Sequence, residues 1–352
     1  MRIKRCHIKL PLETEKTIKN YSAKSSSSTL TPQLESPIEF IAPLTSAGQR
    51  LDQLLAQLLP QWSRNRLQSW ILEGRIRVDG HIVSAKQKIW GNEKISVYPH
   101  IVSVNEAHTA EAIPLNIIYE DAHILVVDKP AGMVVHPGNG NWQGTLLNAL
   151  LHHAHQLNDV PRAGIVHRLD KDTSGLLVVA KTIEAQISLV RQLQQHTVKR
   201  DYLAVVLGEV KQSSYVDAPI GRHPVQRTKM AVSSQGKPAR THYQILEAFH
   251  GCTLLCCSLE TGRTHQIRVH MHSIGHPLVG DPIYTGRPRK TSPFMAQFMM
   301  QFPRQALHAQ QLSLAHPQHG EIMSWYSDLP DDMDSLLQAL RSEQISSSHG
   351  TR

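Results

Sequence analysis

The residues most able to do chemistry lie in one short segment between two apolar runs. Gly164-Ile-Val leads into His167 and Arg168, and Asp170 follows two positions later. After a turn, the run Gly175-Leu-Leu-Val-Val-Ala180 has the apolar character of a buried strand. This pattern predicts that Asp170 lies on a loop held between sheet elements, where functional groups are commonly mounted. A carboxylate there could act as a nucleophile or base, although an Asp in a turn is more often only a hydrogen-bonded turn former.

Two other patterns are weaker indications of chemistry. His270, His272 and His276 could suggest a metal site, but only the last two have i, i+4 spacing, and Gly275 interrupts that turn. No Cys or paired carboxylate completes the set, so we expect no metal. The segment 138–144 is rich in glycine but lacks the Lys-Ser/Thr pair of a phosphate-binding loop.

A compact basic unit is expected at residues 46–97. Apolar residues at helical spacing follow Arg50, Ser63 stands at the N-cap position of a second helix, and Gly74 closes that helix. Asp79-Gly80, between two alternating runs, predicts a tight hairpin turn. Eight basic and four acidic residues give this unit a net charge of +4, which suits an RNA backbone. The side chains expected on its RNA-binding surface are Arg64, Arg66, Arg75 and Arg77.

The rest of the chain contains more strand patterns than helix patterns. Strands are expected at 117–119, 123–127, 175–180, 202–207, 241–249 and 252–259, and helices at 145–153, 184–195 and 263–273. Because short turns join many of the strands, the fold class predicted is α+β, with a largely antiparallel mixed sheet flanked by helices. We expect disordered tails at 1–38 and 343–352, a linker at 98–112 and a second domain at 113–342.

Longer motifs around these residues resemble known families. The stretch Ser63-Arg-Asn-Arg66 through Val78-Asp-Gly80 resembles the S4 RNA-binding domain. His167-Arg-Leu-Asp170, followed by Thr173-Ser-Gly175, resembles the signature of the RluA family of pseudouridine synthases. Further similar motifs lie at 128–132, 136–138, 144–145, 199–202, 227–231, 262–270, 276–281 and 306–309. Together the resemblances cover about residues 46–340.

The resemblance implies that the chain converts uridine to pseudouridine in large-subunit (23S) ribosomal RNA, in the stem-loop called helix 69. This reaction breaks the N1–C1′ bond, turns the uracil and rejoins it through C5. No atom is lost and no redox change occurs, so no cofactor is expected. The target base must first be extruded from its RNA before the sugar can be reached.

The resemblance also assigns roles to individual residues. It implies that Asp170 is the nucleophile, that Tyr202 stacks on the target base and relays the C5 proton, and that Arg268 pairs with Asp170. A neighbouring guanidinium stabilises the charged form of a buried carboxylate, which fits that pairing. It leaves open whether Asp170 attacks the base, attacks the sugar or abstracts a sugar proton. Arg168 would help to displace the uridine and hold its phosphate. The other residues expected at the substrate are His167 and Arg263, the latter a weaker candidate for the pairing.

Composition fits a polyanionic partner. The formal net charge is +8 and the isoelectric point is near 9.3. No window holds about 18 consecutive apolar residues, and the first 40 residues lack the apolar region of a secretory signal. Three of the four cysteines, Cys252, Cys256 and Cys257, fall in a strand-like run without zinc-site spacing and indicate reduced thiols. We therefore expect a cytosolic monomer whose partner is ribosomal RNA, with no membrane or small-molecule cofactor.

Two other functions stay open. The chain could be a non-catalytic RNA-binding or ribosome-assembly factor with the same fold, or a hydrolase that uses Asp170 to cut N-glycosidic bonds. The intact set of Asp170, Tyr202 and Arg268 argues against the first. The lack of the second carboxylate that most glycosidases use argues against the second.

Overall fold

The computed structural model describes residues 37–60, 62, 64–99, 108–138, 141–226 and 229–349. These residues form two compact units, 37–99 (the smaller unit) and 108–349 (the larger unit). Several predictions fall outside the described residues: nearly all of the tail 1–38, residues 100–107 of the linker, the N-cap at Ser63, and Arg227-Thr228 of one motif.

The smaller unit packs two helices against a small antiparallel sheet. Its elements are β1 Ile38–Ile41, β2 Gln49–Arg50, α1 Leu51–Leu58, α2 Arg64–Leu72, β3 Ile76–Val78, β4 His81–Ile82, β5 Lys88–Ile89 and β6 Lys94–Val97. Four strands pair in the order β1-β6-β3-β4, and β2 pairs with β5. Asp79 and Gly80 form the expected hairpin turn, with φ angles of 50° and 79°. Because β1 pairs with β6 from Ile38 onward, the unit begins before the expected boundary at Ser46.

A nine-stranded sheet forms the centre of the larger unit. Its strand order is β11-β14-β15-β10-β16-β9-β8-β7, and β17 also pairs with β16. The strands of this sheet are β7 Ile117–Glu120, β8 Ile124–Lys129, β9 Ser174–Ala180, β10 Lys199–Leu207, β11 Ser214–Asp217, β14 Arg240–Phe249, β15 Cys252–Leu259, β16 Leu307–Ala315 and β17 Ile322–Tyr326. A separate two-stranded sheet pairs β12 Ile220–Arg222 with β13 Met230–Val232. The helices are α3 Leu146–His153, α4 Ile183–Gln194, α5 Gln266–Ser273, α6 Pro293–Met300 and α7 Asp331–His349.

The sheet is antiparallel except where β9 runs parallel to β16, as far as the described residues extend. This arrangement confirms the predicted α+β class with a largely antiparallel mixed sheet. No helix in the described ranges is long and apolar enough to cross a membrane. Cys252 and Cys257 are free, buried thiols on β15, as expected, and burial raises the pKa of each to about 12. The same expectation was wrong for Cys256 of this strand, which is disulfide-bonded.

Both faces of the sheet are covered, and strand β10 contributes to both cores. Its Tyr202, Ala204 and Val206 join the core that includes α3 and α5. The intervening residues Leu203, Val205 and Leu207 join the core that includes α6 and α7. Since successive side chains of a strand point to opposite faces, Tyr202 is fixed on the α3 and α5 side of the sheet.

The structure corrects two predicted boundaries. Helix α7 continues to His349, so residues 343–349 are helical rather than part of a disordered tail. Burial of its earlier side chains, such as Leu336 and Leu340, holds the helix, and each further turn then needs only local hydrogen bonds. Helix α5 begins at Gln266 rather than Arg263. His265 has a left-handed backbone (φ 58°), and the Gln266 side chain accepts the Arg263 N–H, so the preceding residues form a turn.

Candidate active site

A cleft of about 600 Å³ opens in the larger unit beside Asp170. Four segments form most of its walls: the loop 165–170 that precedes β9, residues 190–196 at the end of α4, the first part of β10, and the turn 261–265 with the start of α5. All of the residues of this unit that the sequence assigned to the site line it, namely His167, Arg168, Asp170, Tyr202, Arg263 and Arg268. The folded chain therefore brings together groups that lie up to 101 positions apart, from residue 167 to residue 268.

Asp170 is paired with Arg268. The Nη1 atom of Arg268 donates to Oδ2 of Asp170 at 3.0 Å, and 16% of the Asp170 side chain is exposed against 3% for Arg268. The carboxylate is thus open to a ligand in the cleft while its partner is buried. The pairing that the resemblance implied is present in the geometry.

The other side of Arg268 is held by Asp281, a residue that sequence reasoning did not single out. Nε and Nη2 of Arg268 donate to the two Asp281 oxygens at 2.7 and 2.9 Å. Burial alone would lower the pKa of Arg268, but hydrogen bonds and charge from Asp281 and Asp170 raise it. Asp281 also accepts the backbone N–H groups of Ile283 and Tyr284, which fixes its carboxylate. The signal for Asp281 lay in the motif at 276–281, of which it is the last residue.

Tyr202 lines the cleft from the sheet floor. It is 6% exposed and lies at a β-bulge, because the register between β10 and β16 shifts between Asp201 and Tyr202. Burial raises the pKa of the Tyr202 hydroxyl, so this side chain remains a neutral phenol ring. A flat, neutral aromatic surface in a cleft can stack against a planar base.

The loop after Asp170 is tethered at four consecutive positions. The buried Lys129 ammonium donates to the Lys171 carbonyl at 3.0 Å, and Arg304 Nη1 donates to the Asp172 carbonyl at 3.1 Å. The two remaining tethers are Gln305 to the Thr173 hydroxyl at 3.1 Å and His308 with the Ser174 hydroxyl at 3.0 Å. This network holds the carboxylate loop rigid against β16 and β8. Sequence reasoning missed these supports, although Lys129 lies in the motif at 128–132 and His308 in that at 306–309.

The remaining predicted substrate residues differ in character. Nε2 of His167 accepts the Val178 N–H at 3.1 Å, and burial together with the charge of Arg200 lowers its pKa to about 3. His167 is therefore a neutral residue that holds the loop to β9. Arg168 is exposed on the cleft wall, and Arg263 is half-buried, with Nε donating to the Pro238 carbonyl at 3.1 Å.

The four arginines predicted for the RNA surface of the smaller unit also differ. Arg64 donates to the fully buried carboxylate of Asp52 at 2.7 Å and so has a structural role. The Arg66 guanidinium lies over the Trp70 ring at 5.6 Å. Arg75 pairs with Glu73 at 3.1 Å, and Arg77 is exposed, with its guanidinium 5.7 Å from the Tyr98 ring.

Comparison with known proteins identifies the class to which this site belongs. The RNA pseudouridylate synthase profile matches residues 123–273, and the S4 domain profile matches residues 49–95. With the relatives described below, these matches show that the chain belongs to the RNA pseudouridylate synthase family and is an RNA pseudouridine synthase with an S4 RNA-binding domain. Both resemblances drawn from the sequence are confirmed.

The relatives extend over most of the chain. Over 331 residues it is 62% identical to "Ribosomal large subunit pseudouridine synthase D" of Nitrosomonas europaea, covering 94% of this chain and 96% of the relative. It is 52% identical over 305 residues to the protein of the same name from Pseudomonas aeruginosa, covering 86% and 95%. A solved structure, "Human RNA Pseudouridylate Synthase Domain Containing 4", is 26% identical in sequence and has a TM-score of 0.51. The match covers 64% of this chain and 93% of the human chain.

Proposed function

We propose that this enzyme isomerises specific uridines in large-subunit (23S) ribosomal RNA, in the helix 69 stem-loop, with Asp170 as the catalytic carboxylate. The observation that carries the proposal is the Asp170–Arg268 pair beside Tyr202 in one cleft. The names of the relatives support ribosomal RNA of the large subunit as the substrate. In this proposal the enzyme acts as a cytosolic monomer on free rRNA or on a pre-ribosomal large subunit.

The roles follow from the position of each side chain. A flipped uridine enters the cleft, its base stacks on Tyr202, and exposed Arg168 binds a backbone phosphate near the opening. Asp170, paired with Arg268 through one oxygen, faces the sugar and base with the oxygen that Arg268 does not occupy. Arg263 and His167 complete the wall around the substrate.

The reaction conserves every atom. The N1–C1′ bond breaks, the base turns, the C5–C1′ bond forms, C5 loses its proton and N1 ends with one. Asp170 starts this sequence by attacking C1′, by adding to the base, or by removing a sugar proton. All three routes require the ionised carboxylate that the Arg268 contact supports.

A hydrolytic function is less well supported. Among the described residues that line the cleft, Asp170 is the only acidic one, whereas most glycosidases use two carboxylates. A second carboxylate would be needed to activate water against the sugar. A single carboxylate beside an aromatic ring on which the base can stack suits isomerisation better.

Release of tritium from C5-labelled uridine in rRNA transcripts tests the proposal. Wild-type protein should release tritium and leave intact chains that contain pseudouridine. Asp170→Asn has almost the same shape and should bind the transcript but release nothing. Free uracil with abasic sites would indicate a hydrolase, and binding without any release by wild-type protein would indicate an assembly factor. Mapping pseudouridine in rRNA from cells that lack the gene would test helix 69 itself.

The smaller unit gives a separate test of RNA binding. Arg77→Ala should weaken binding and reduce the slope of log K against log salt by about one phosphate contact. The side chain of Arg77 is exposed, so stability should not change. An unchanged salt slope would contradict the assignment of this surface to RNA. Arg64→Ala is a poor test, because it removes a partner of the buried Asp52 carboxylate.

A further inference from the structure

His265 occupies an unusual position at the site. It precedes helix α5 with a left-handed backbone (φ 58°), a conformation that costs most residues other than glycine free energy. Its side chain lines the cleft and is 16% exposed. A backbone conformation of this kind persists only where the surroundings hold it, and such residues are common at functional sites. The contacts of the His265 ring show what holds it beside Asp170.

The two ring nitrogens of His265 face different groups. Nδ1 lies 3.0 Å from the hydroxyl oxygen of Tyr284, which is buried and also accepts the Met230 N–H at 2.9 Å. Nε2 lies 3.9 Å from Oδ1 of Asp170, the oxygen that Arg268 does not bind. His265 therefore lies between a buried phenol and the free oxygen of the carboxylate.

These contacts favour one tautomer of the neutral ring. A neutral imidazole has one N–H donor and one acceptor nitrogen. If Nδ1 carried the proton, the Tyr284 oxygen would accept two hydrogen bonds while its own buried O–H found no acceptor among the described contacts. The lone pair of Nε2 would then also face the negative Asp170 oxygen. If Tyr284 donates to Nδ1 instead, the proton lies on Nε2 and points toward Asp170.

We propose that His265 is a positioning residue of the synthase reaction: Tyr284 fixes its tautomer, and its Nε2–H directs Oδ1 of Asp170 toward the substrate. The proposal rests on Asp170 being the catalytic carboxylate. Arg268 fixes one oxygen of that group, and His265 orients the other without closing a full hydrogen bond at 3.9 Å. The open distance leaves this oxygen free to move onto its target. Burial lowers the pKa of His265, although the charge of Asp170 raises it, so the ring stays neutral as the argument requires.

Two substitutions of His265 distinguish the role of Nδ1 from that of Nε2. His265→Asn places its polar group where Nδ1 lies and does not reach Asp170, and Asn tolerates the left-handed backbone. His265→Gln reaches farther and can place an N–H near the Nε2 position. We expect His265→Asn to bind C5-tritiated 23S rRNA transcript normally but to lower the single-turnover rate by about threefold to tenfold. The upper end is the effect of a full hydrogen bond to a charged group, and the 3.9 Å contact is longer than that. His265→Gln should restore much of that loss.

A matched control comes from helix α5, which follows His265 directly. His272 is exposed, does not line the cleft and also contacts the Tyr284 ring, with ring centres 5.9 Å apart. His272→Asn should turn over at the wild-type rate. Tyr284→Phe keeps the ring but removes the hydroxyl that fixes the tautomer, so it should lower the rate by a few-fold and leave binding unchanged.

A spectroscopic measurement addresses the tautomer without relying on turnover. Long-range ¹H–¹⁵N spectra of histidine-labelled protein, with His265→Gln to identify the signal, should show the proton on Nε2 in wild-type protein and a shift toward Nδ1 in Tyr284→Phe. A proton on Nδ1 in wild-type protein would overturn the proposal. So would a wild-type rate for His265→Asn when Asp170→Asn is inactive. If Asp170→Asn itself retained the wild-type rate, the proposed function would fail, and the inference with it.

Discussion

Arg268 and Asp281 form a two-point ion pair in which neither side chain is appreciably exposed. The N–O distances are 2.7 and 2.9 Å, and the exposed fractions are 3% and 0%. Because both of these contacts use the Nε and Nη2 side of the guanidinium, Nη1 is left to point at Asp170. Asp281 therefore determines the position of the guanidinium that pairs with the site carboxylate.

Asp281→Asn tests this relationship. The substitution retains the shape but leaves the buried guanidinium without its main counter-charge, and breaking such a pair costs about 3–5 kcal/mol. We expect a lower unfolding midpoint and a fall in single-turnover rate of roughly 100-fold, since misplacing a catalytic partner by about 1 Å has this effect. Denaturant unfolding and tritium release measure the two changes.

Asp217→Asn is the matched control for that experiment. Asp217 also pairs with an arginine, Arg240, at 2.6 Å, but 47% of its side chain is exposed. Exposed pairs contribute only about 0–1 kcal/mol, so stability and turnover should hardly change. Equal effects of the two substitutions would show that burial of the Arg268–Asp281 pair does not matter.

Local patterns in the sequence predicted most of the elements but not how the site is assembled. The tight turn at Asp79-Gly80, the strand after Asp170 and the free thiols of Cys252 and Cys257 follow from rules that act over a few residues. The contact between Asp170 and Arg268 spans 98 positions, and no periodicity encodes it. Only the resemblance to a family implied that pair.

Nothing in the sequence indicated the residues that support the carboxylate loop, and the reason is physical. Lys129 and Arg304 act by donating to backbone carbonyls of a distant loop, and carbonyls carry no sequence signature.

Arg64 was predicted to bind RNA because it lies off the apolar stripe of its helix. Its partner, Asp52, lies among buried leucines of α1, and an acidic residue in such a stripe could have indicated a buried ion pair.

Lys129→Met should weaken the support of the loop that follows Asp170. The Lys129 Nζ atom donates to the carbonyls of Pro130, Met133 and Lys171 at 2.8–3.0 Å. Burial lowers the pKa of Lys129 to about 7, but three carbonyl acceptors match the three donors of an ammonium group. Methionine fills similar space but donates nothing, so the Pro130 and Met133 carbonyls lose this partner at about 1–3 kcal/mol each. The Lys171 carbonyl keeps one hydrogen bond, from the Gly132 N–H at 2.9 Å, but loses its tie to β8. We expect a lower melting temperature and faster hydrogen exchange of residues 170–173.

Lys171→Met provides the comparison for Lys129→Met. Its side chain is exposed on the same loop, so the same chemical change there should alter neither melting nor exchange. If both variants exchanged at the wild-type rate, the ammonium of Lys129 would not be holding the loop.

The smaller unit should lose stability in acid through Asp52. Burial alone would raise the pKa of Asp52, but hydrogen bonds from Arg50, Arg64 and Gln68 lower it to about 2. A carboxyl group with a lower pKa in the folded chain stabilises the fold above its unfolded pKa of about 4, and this contribution disappears as the pH falls toward 2. Hydrogen exchange of α1 should therefore accelerate relative to intrinsic rates over this range. Asp52→Asn should already exchange fast at pH 6 and show less change on acidification. An identical pH dependence in both proteins would contradict the assignment.

Gly175→Ala should disrupt the link between the carboxylate loop and the sheet. Gly175 has φ 112°, and a Cβ atom there would lie 2.3 Å from the Ala309 carbonyl oxygen. Ala309 is also the β16 partner of Tyr202, so moving it would shift the aromatic ring relative to Asp170. Gly320→Ala, at φ 74° in open space, should cost only about 1–2 kcal/mol from the backbone. We expect Gly175→Ala to lower the unfolding midpoint clearly more than Gly320→Ala does. Any Gly175→Ala protein that still folds should release tritium from the transcript slowly. Equal loss in the two variants would mean that backbone conformation, rather than the close approach of β9 and β16, requires glycine at position 175.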